Sequence, residues 1–201
     1  VDSTASAKQK KQAGNYFDSF IGLDFNYDKR NQRFQTTSGY FSNYGVTLPV
    51  ISETSTITNS YNFKVFKELY ENNVSSLSFL LQSSNSLSGD DVKLSERLFL
   101  PGKRLRGFEA GAVGPKDGDD YIGGNYLSSI NATTTIPMVL ENIQTVDVIM
   151  FADAANIWGV DYNNSLDKGG IRSSIGIGLD WLTPVGPLTF SLSEVISKDS
   201  T

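Results

Sequence analysis

The sequence predicts an all-β fold, with its strands antiparallel and arranged as part of a transmembrane β-barrel. Three observations lead there. Apolar and polar residues alternate with a period of two in eight separate runs, and no run carries a convincing helical period. The connections differ in length, short turns joining some pairs of runs and long polar loops joining others, as on the two rims of a membrane barrel. The polar sides of the runs are rich in Gly, Ser, Thr, Asn and Asp but poor in Lys and Glu, whereas a soluble surface usually carries more charge.

The runs follow in order. In Ile21–Asp28, Ile21, Leu23, Phe25 and Tyr27 alternate with Gly22, Asp24, Asn26 and Asp28. Gly39–Val50 places Tyr40, Tyr44, Val46, Leu48 and Val50 on one side. Ser60–Glu68 alternates until Phe66 and Lys67, and Val74–Gln82 sets Leu77, Phe79 and Leu81 against serines. Tyr126–Ile136 alternates weakly. A run from Val146 opposes Val148, Met150 and Ala152 to Asp147, Ile149, Phe151 and Asp153. Ile171–Trp181 is the clearest, with Ile175, Ile177, Leu179 and Trp181 against Ser174, Gly176, Gly178 and Asp180. The last run alternates Leu188, Phe190 and Leu192 with Thr189, Ser191 and Ser193. Alternation carries no direction, because a soluble sandwich turns its apolar side inward and a membrane barrel turns it to lipid. Aromatics near strand ends (Tyr27, Tyr40, Trp181) and run lengths approaching the roughly 9–11 residues of a tilted spanning strand favour the membrane. At this level a soluble β-domain binding a small ligand stays a rival.

Composition removes whole classes of function. The 201 residues include no cysteine and no histidine, so a disulfide framework, a Ser-His-Asp triad and most zinc sites are excluded. No nucleophile–base pair is visible; neither an enzyme nor a cofactor is expected. The net charge of −5 and the lack of a dense basic patch argue against nucleic acid. Lys8, Lys10 and Lys11 sit in a polar N-terminal segment and read as solvated. No stretch approaches the roughly 18 apolar residues of a membrane helix, and the N-terminus has no signal-peptide pattern. Asp117, Asp119 and Asp120 surround Gly118 without the ligand spacing of a calcium loop, and read as solvated, as do Asp161 and Asp167.

One connection, Leu87 to Gly123, far exceeds the roughly 12–15 residues of a passive loop. It contains Arg97-Leu98-Phe99-Leu100-Pro101-Gly102-Lys103-Arg104-Leu105-Arg106-Gly107-Phe108, too apolar and glycine-punctuated for simple disorder. Here the chain resembles the BamA family of outer-membrane assembly factors, the bacterial surface antigens, over nearly its whole length. Leu105-Arg106-Gly107-Phe108 matches that family's Val/Leu-Arg-Gly-Phe/Tyr loop motif, and Gly114-Pro115 and Gly123-Gly124-Asn125 follow in its order. Phe151-Ala152-Asp153-Ala154-Ala155 is similar to its aromatic-x-Asp-x-Gly strand, Ser173–Trp181 with Pro184-Val185-Gly186-Pro187-Leu188 to its late hairpin, and Asp28–Gly39 to a periplasmic turn. Thr36, Pro101-Gly102, Thr133 and Ala155 depart from the family pattern; Thr133 stands where a Glu often does and so removes one partner for Arg106.

The resemblance implies a barrel of sixteen strands, of which residues 1–201 would be a partial C-terminal domain holding the eighth to fifteenth. By that comparison the opening strands, the POTRA domains and the last strand are absent, and Glu194 to Thr201 reads as a loop cut short. It implies a place in the bacterial outer membrane and a role in assembling and inserting outer-membrane proteins. The partners implied are the lipid bilayer, unfolded outer-membrane proteins and, through the absent domains, accessory lipoproteins. A secretion or translocation pore of the same superfamily is the alternative. The long loop is expected to fold into the lumen and Arg106 to pair with Asp153, which shares its charged side with Asp147 and Phe151. Gly107 would allow close approach to the wall and Phe108 would pack there.

Overall fold

The computed structural model describes residues 10–52, 55–136, 145–167 and 169–198; Lys8 of the basic run and residues 199–201 lie outside them. Ten strands are present among the described residues: β1 Ser19–Asp28, β2 Gly39–Ile51, β3 Thr56–Tyr70, β4 Asn73–Ser86, β5 Lys116–Asp117, β6 Asp120–Tyr121, β7 Tyr126–Thr135, β8 Val146–Trp158, β9 Arg172–Thr183 and β10 Gly186–Ser197. Eight of them form one antiparallel sheet in the order β1-β2-β3-β4-β7-β8-β9-β10. Every strand therefore pairs with its neighbour along the chain, and the single long excursion lies between β4 and β7, where β5 and β6 make a small hairpin of their own.

The structure departs from the sequence reading in the β5–β6 hairpin, which lies inside the predicted long loop, and at two strand ends. The third strand does not fade at Phe66 and Lys67 but runs on to Tyr70, because Phe66 pairs with Ser76 and Lys67 with Ser75 of β4. Backbone pairing, which is blind to side-chain polarity, carries it past the point where alternation fails. Glu194 to Ser197 is not a loop. It extends β10, with Glu194 opposite Ile175 and Val195 opposite Ser174.

The registers sort every side chain to one of two faces. The face bearing the long loop, called inward here, carries Asp24 and Asn26 of β1, Asn43 of β2, Asn62 and Lys64 of β3, Ser76 and Ser78 of β4, Asn131 and Thr133 of β7, Asp147, Phe151 and Asp153 of β8, Ser174, Gly176 and Asp180 of β9, and Ser193 of β10. On the outward face the only charged residues among these eight strands are Lys67 and Glu194. That face is apolar and bare: Phe25, Ile177, Phe190 and Leu192 are 62%, 52%, 57% and 76% exposed. A water-soluble sheet does not leave such a surface uncovered; a bilayer requires it. Outward aromatics mark both ends of the band. Tyr27 and Tyr40 meet at 5.8 Å near the short-turn rim, and Tyr126 stacks on Trp158 at 5.7 Å near the long-loop rim.

The core lies between the loop and the inward wall. Leu98, Leu100, Leu105 and Val113 of the loop pack with Leu80, Leu127, Ala155 and Ile157 of β4, β7 and β8. The sheet curls around this plug. Arg104 bonds Asn62 of β3 and Gly107 lies against Ser193 of β10. In a flat sheet those strands would be about 24 Å apart at the usual strand spacing, yet the chain from Arg104 to Gly107 reaches only about 10 Å. Below the loop tip a cavity of about 940 Å³ opens, ringed by the inward residues Phe66, Ser76, Thr133, Phe151, Gly176 and Ser193.

This assignment of faces is directly testable. Arginine at outward Ile177 is expected to cost about 2–4 kcal/mol of barrel stability in a bilayer, and arginine at inward Ser76 less than about 1 kcal/mol. Equilibrium unfolding of the full-length protein in lipid vesicles measures both, and equal costs would contradict the assignment.

Candidate functional site

The long loop leaves β4 and returns to β7 through a strapped base. Leu98 and Gly124 bridge in antiparallel fashion, with amide-to-carbonyl distances of 2.8 and 3.1 Å. From there the chain descends the inward wall to the segment Leu105–Phe108. Leu105 is buried, Phe108 packs against the core cluster, and Arg106 meets Asp153 of β8.

The Arg106 guanidinium grips the carboxylate on both oxygens. Nε donates to Oδ2 at 2.7 Å and Nη2 to Oδ1 at 2.7 Å, while the Arg106 backbone amide adds a third bond to Oδ2 at 3.1 Å. Asn131 of β7 donates Nδ2 to Oδ1 at 2.9 Å. The Asp153 side chain is wholly buried and that of Arg106 is 15% exposed. A carboxylate taken out of water is tolerated when its lone pairs are filled, and these four donors fill them. The guanidinium carbon also lies over the Phe151 ring, 3.5 Å from its centre, an arrangement in which the ring face attracts the cation. Thr133 is not lost as a partner: its hydroxyl oxygen accepts from Arg106 Nη2 at 3.4 Å, a long contact. Gly107 has φ +92°, and a Cβ there would come within 2.6 Å of Ser193 Oγ on β10, so only glycine fits so close to the wall.

Sequence reasoning missed a second arginine. Arg104 donates to Ser78 Oγ at 2.7 Å, to Asn62 Oδ1 at 2.8 Å and to Asn131 Oδ1 at 3.3 Å, while Asn131 returns a bond to the Arg104 carbonyl at 2.8 Å. Asn131 therefore ties both arginines together. No local signal points to this, because the acceptors come from three strands.

A further clamp sits at the loop base. Asp161 and Asp167 are not merely solvated. Asp161 pairs with the buried Arg97, accepts the Val92 amide at 2.7 Å and accepts Asn125 Nδ2 at 3.1 Å. Asp167 accepts the Gly159 amide at 2.7 Å. Arg97 also lies over Tyr162, whose hydroxyl donates to Asp117 at 3.1 Å. Burial first, then that bond to Asp117, pushes the Tyr162 phenol up to about 12. For Asp161, burial works against the charge, but the Val92 and Asn125 bonds and the Arg97 cation outweigh it and hold the carboxyl below its ordinary value. Among the described residues no three metal-ligating side chains come together.

Comparison with known proteins gives a consistent neighbourhood. The model of the Omp85 superfamily domain matches residues 1–200. The outer membrane protein assembly factor BamA of Neorickettsia risticii (strain Illinois) is 26% identical over 203 residues, covering 98% of this chain and 27% of that protein. BamA of Neisseria meningitidis serogroup B is 31% identical over 122 residues, covering 47% of this chain and 15% of its own length. A SAM50-like protein of Schizosaccharomyces pombe is 30% identical over 128 residues, covering 58% and 26%. A crystal structure of BamA from Haemophilus ducreyi lacking POTRA domains 1–3 superposes with a TM-score of 0.80 at 26% identity, over 90% of this chain and 39% of that one. The chain thus spans about a quarter or less of the length of these curated relatives.

The base clamp has a defined acid response. The folded Asp161 carboxyl ionises more readily than an unfolded one. Its stabilisation is therefore complete above the ordinary aspartate value of about 3.9 and is lost as pH falls through the lower folded value. The protection of the Val92 amide against hydrogen exchange, taken relative to the intrinsic rate at each pH, is expected to hold from neutral pH down to that point and then fall. Asp161→Asn should lower that protection about five- to tenfold already at neutral pH and remove the acid step.

Proposed function

Since the chain belongs to the Omp85 superfamily, we propose that it forms part of the membrane-embedded barrel of a bacterial outer-membrane protein assembly and insertion factor. The observation that carries this reading is the buried grip of Arg106 on Asp153 in a chain matching that superfamily over nearly its whole length. Its eight long strands would then be the eighth to fifteenth of sixteen, and the partners would be the bilayer, unfolded outer-membrane proteins and, through other domains, accessory lipoproteins.

The chemistry suits mechanical work. Insertion of a strand-forming substrate needs paired backbone edges and a locally disturbed bilayer, with no covalent step. A barrel that handles foreign strands must keep its own wall in shape. The loop supplies that brace from inside: Arg104 ties to β3, β4 and β7, and Arg106 to β7 and β8. Leu105 and Phe108 wedge the same segment into the apolar core. Because the brace is made of directional hydrogen bonds to a buried charge, it holds one arrangement rather than a range of them.

Charge reversal tests the brace and its role together. Arg106→Glu and Asp153→Arg in the full-length protein are each expected to slow its catalysed folding of an unfolded outer-membrane protein into vesicles by about tenfold or more, from the loss of a buried pair. The double variant should recover a substantial part of that rate. No recovery would argue against a direct pair, and wild-type protein that fails to speed substrate folding would argue against the assembly role.

A further inference from the structure

The loop tip lies along one row of inward positions. Thr133 is opposite Phe151, Phe151 opposite Gly176, and Gly176 opposite Ser193, so the row crosses β7, β8, β9 and β10 in order. Arg106 covers the first half, reaching Thr133 at 3.4 Å and lying 3.5 Å over the Phe151 ring. Gly107 covers the far end against Ser193. Between them stands Gly176, where the row has no side chain. A Cβ at 176 would sit 2.5 Å from Phe151 Cζ and 2.9 Å from Ser193 Cα, and would run into the Leu192 carbonyl. The Phe151 ring therefore occupies the space a side chain at 176 would take.

We propose that Gly176 is a positioning residue for the loop. Its missing side chain lets Phe151 lean across β9 with its face turned to the guanidinium. It also lets β10 come close enough for Gly107 to touch Ser193. Asp153 fixes where the head of Arg106 sits; the ring over Gly176 fixes the plane in which it lies. The fastening then reaches β10, the last strand of the described sheet, which has no direct hydrogen bond or ion pair to Arg106. The inference takes from the proposed function only that the loop is held inside the barrel. Its test reads the loop itself, so a failed assembly assay does not decide it.

Gly178 provides the matched control. It is two residues on, on the same strand and face; a Cβ there would come within 2.6 Å of the Phe190 carbonyl and 3.3 Å of Ile149, and none of the nearest atoms belongs to Phe151. Alanine at either position strains the β9–β10 backbone, but only at 176 does it evict the ring. The experiment is limited trypsin digestion of the full-length protein in detergent, scoring cleavage after Lys103, Arg104 or Arg106 in samples whose barrel keeps its heat-modifiable gel migration. Gly176→Ala is expected to raise cleavage about tenfold, and Gly178→Ala less than about twofold. Equal cleavage in the two variants, whether raised or not, overturns the proposal. Should Gly176→Ala alone not fold, Gly176→Ala combined with Phe151→Leu decides it. A folded double variant with a cut loop supports the seat. Failure of the double variant while Gly178→Ala folds locates the requirement in the backbone and overturns it.

Discussion

One buried carboxylate organises this sheet and the loop it carries. Asp153 projects from the middle of β8 into a space from which water is excluded. An unpaired charge there would be prohibitively unfavourable. Its stability as an anion depends on four donors, three from Arg106 and one from Asn131. The loop is therefore not laid on the wall by general stickiness. It is required by a charge that the wall cannot satisfy alone, and the wall in turn gives the arginine, among the described residues, a carboxylate within hydrogen-bonding reach. Each makes the other tolerable, which is why removing either side alone is costlier than the pair is stabilising.

The rest of the fold follows from inverting the usual distribution of polarity. With its apolar side chains spent on the outward face, the sheet has small and polar residues inside: Ser76, Ser78, Asn131, Ser174, Gly176. Such a wall offers only a few apolar side chains of its own, Leu80, Leu127, Ala155 and Ile157 among them. The loop imports the missing apolar material as Leu98, Leu100, Leu105 and Val113, and the buried cluster forms between plug and wall rather than within either. The same small residues leave room below the tip for the cavity ringed by Phe66, Phe151 and Ser193.

Fastening occurs at two levels with different physics. At the base, Asp161 and Arg97 join loop to loop near the rim, where Asp161 keeps some contact with solvent. At the tip, Arg106 and Arg104 join loop to wall through partners on three strands or more, with the Asp153 carboxylate wholly buried. In each pair one partner is wholly buried and the other keeps some solvent contact, so neither is screened by salt like a surface pair. The two arginines at the tip share Asn131, so the brace behaves as a network whose members are coupled rather than as separate bonds.

The sequence by itself determined the strands, the face each residue takes and the identity of the loop that matters. Those properties are local: the pleat sends successive side chains to opposite sides, so Ile175, Ile177 and Leu179 declare a shared face without reference to any neighbour. Parity also placed Asp153 on the charged side, within reach of an arginine whose motif resembled a known one. Where strand continuation rests on pairing instead of polarity, the reading stopped short, at Phe66-Lys67 and at Glu194–Ser197. Only the tertiary structure decided which residues share Asp153, why Arg104 needs no carboxylate, that Thr133 keeps a place beside Arg106, and that Asp161 serves Arg97 across 64 residues of chain. These partners come from different strands brought together by the curl of the sheet, and an alternation of period two carries no information about curvature.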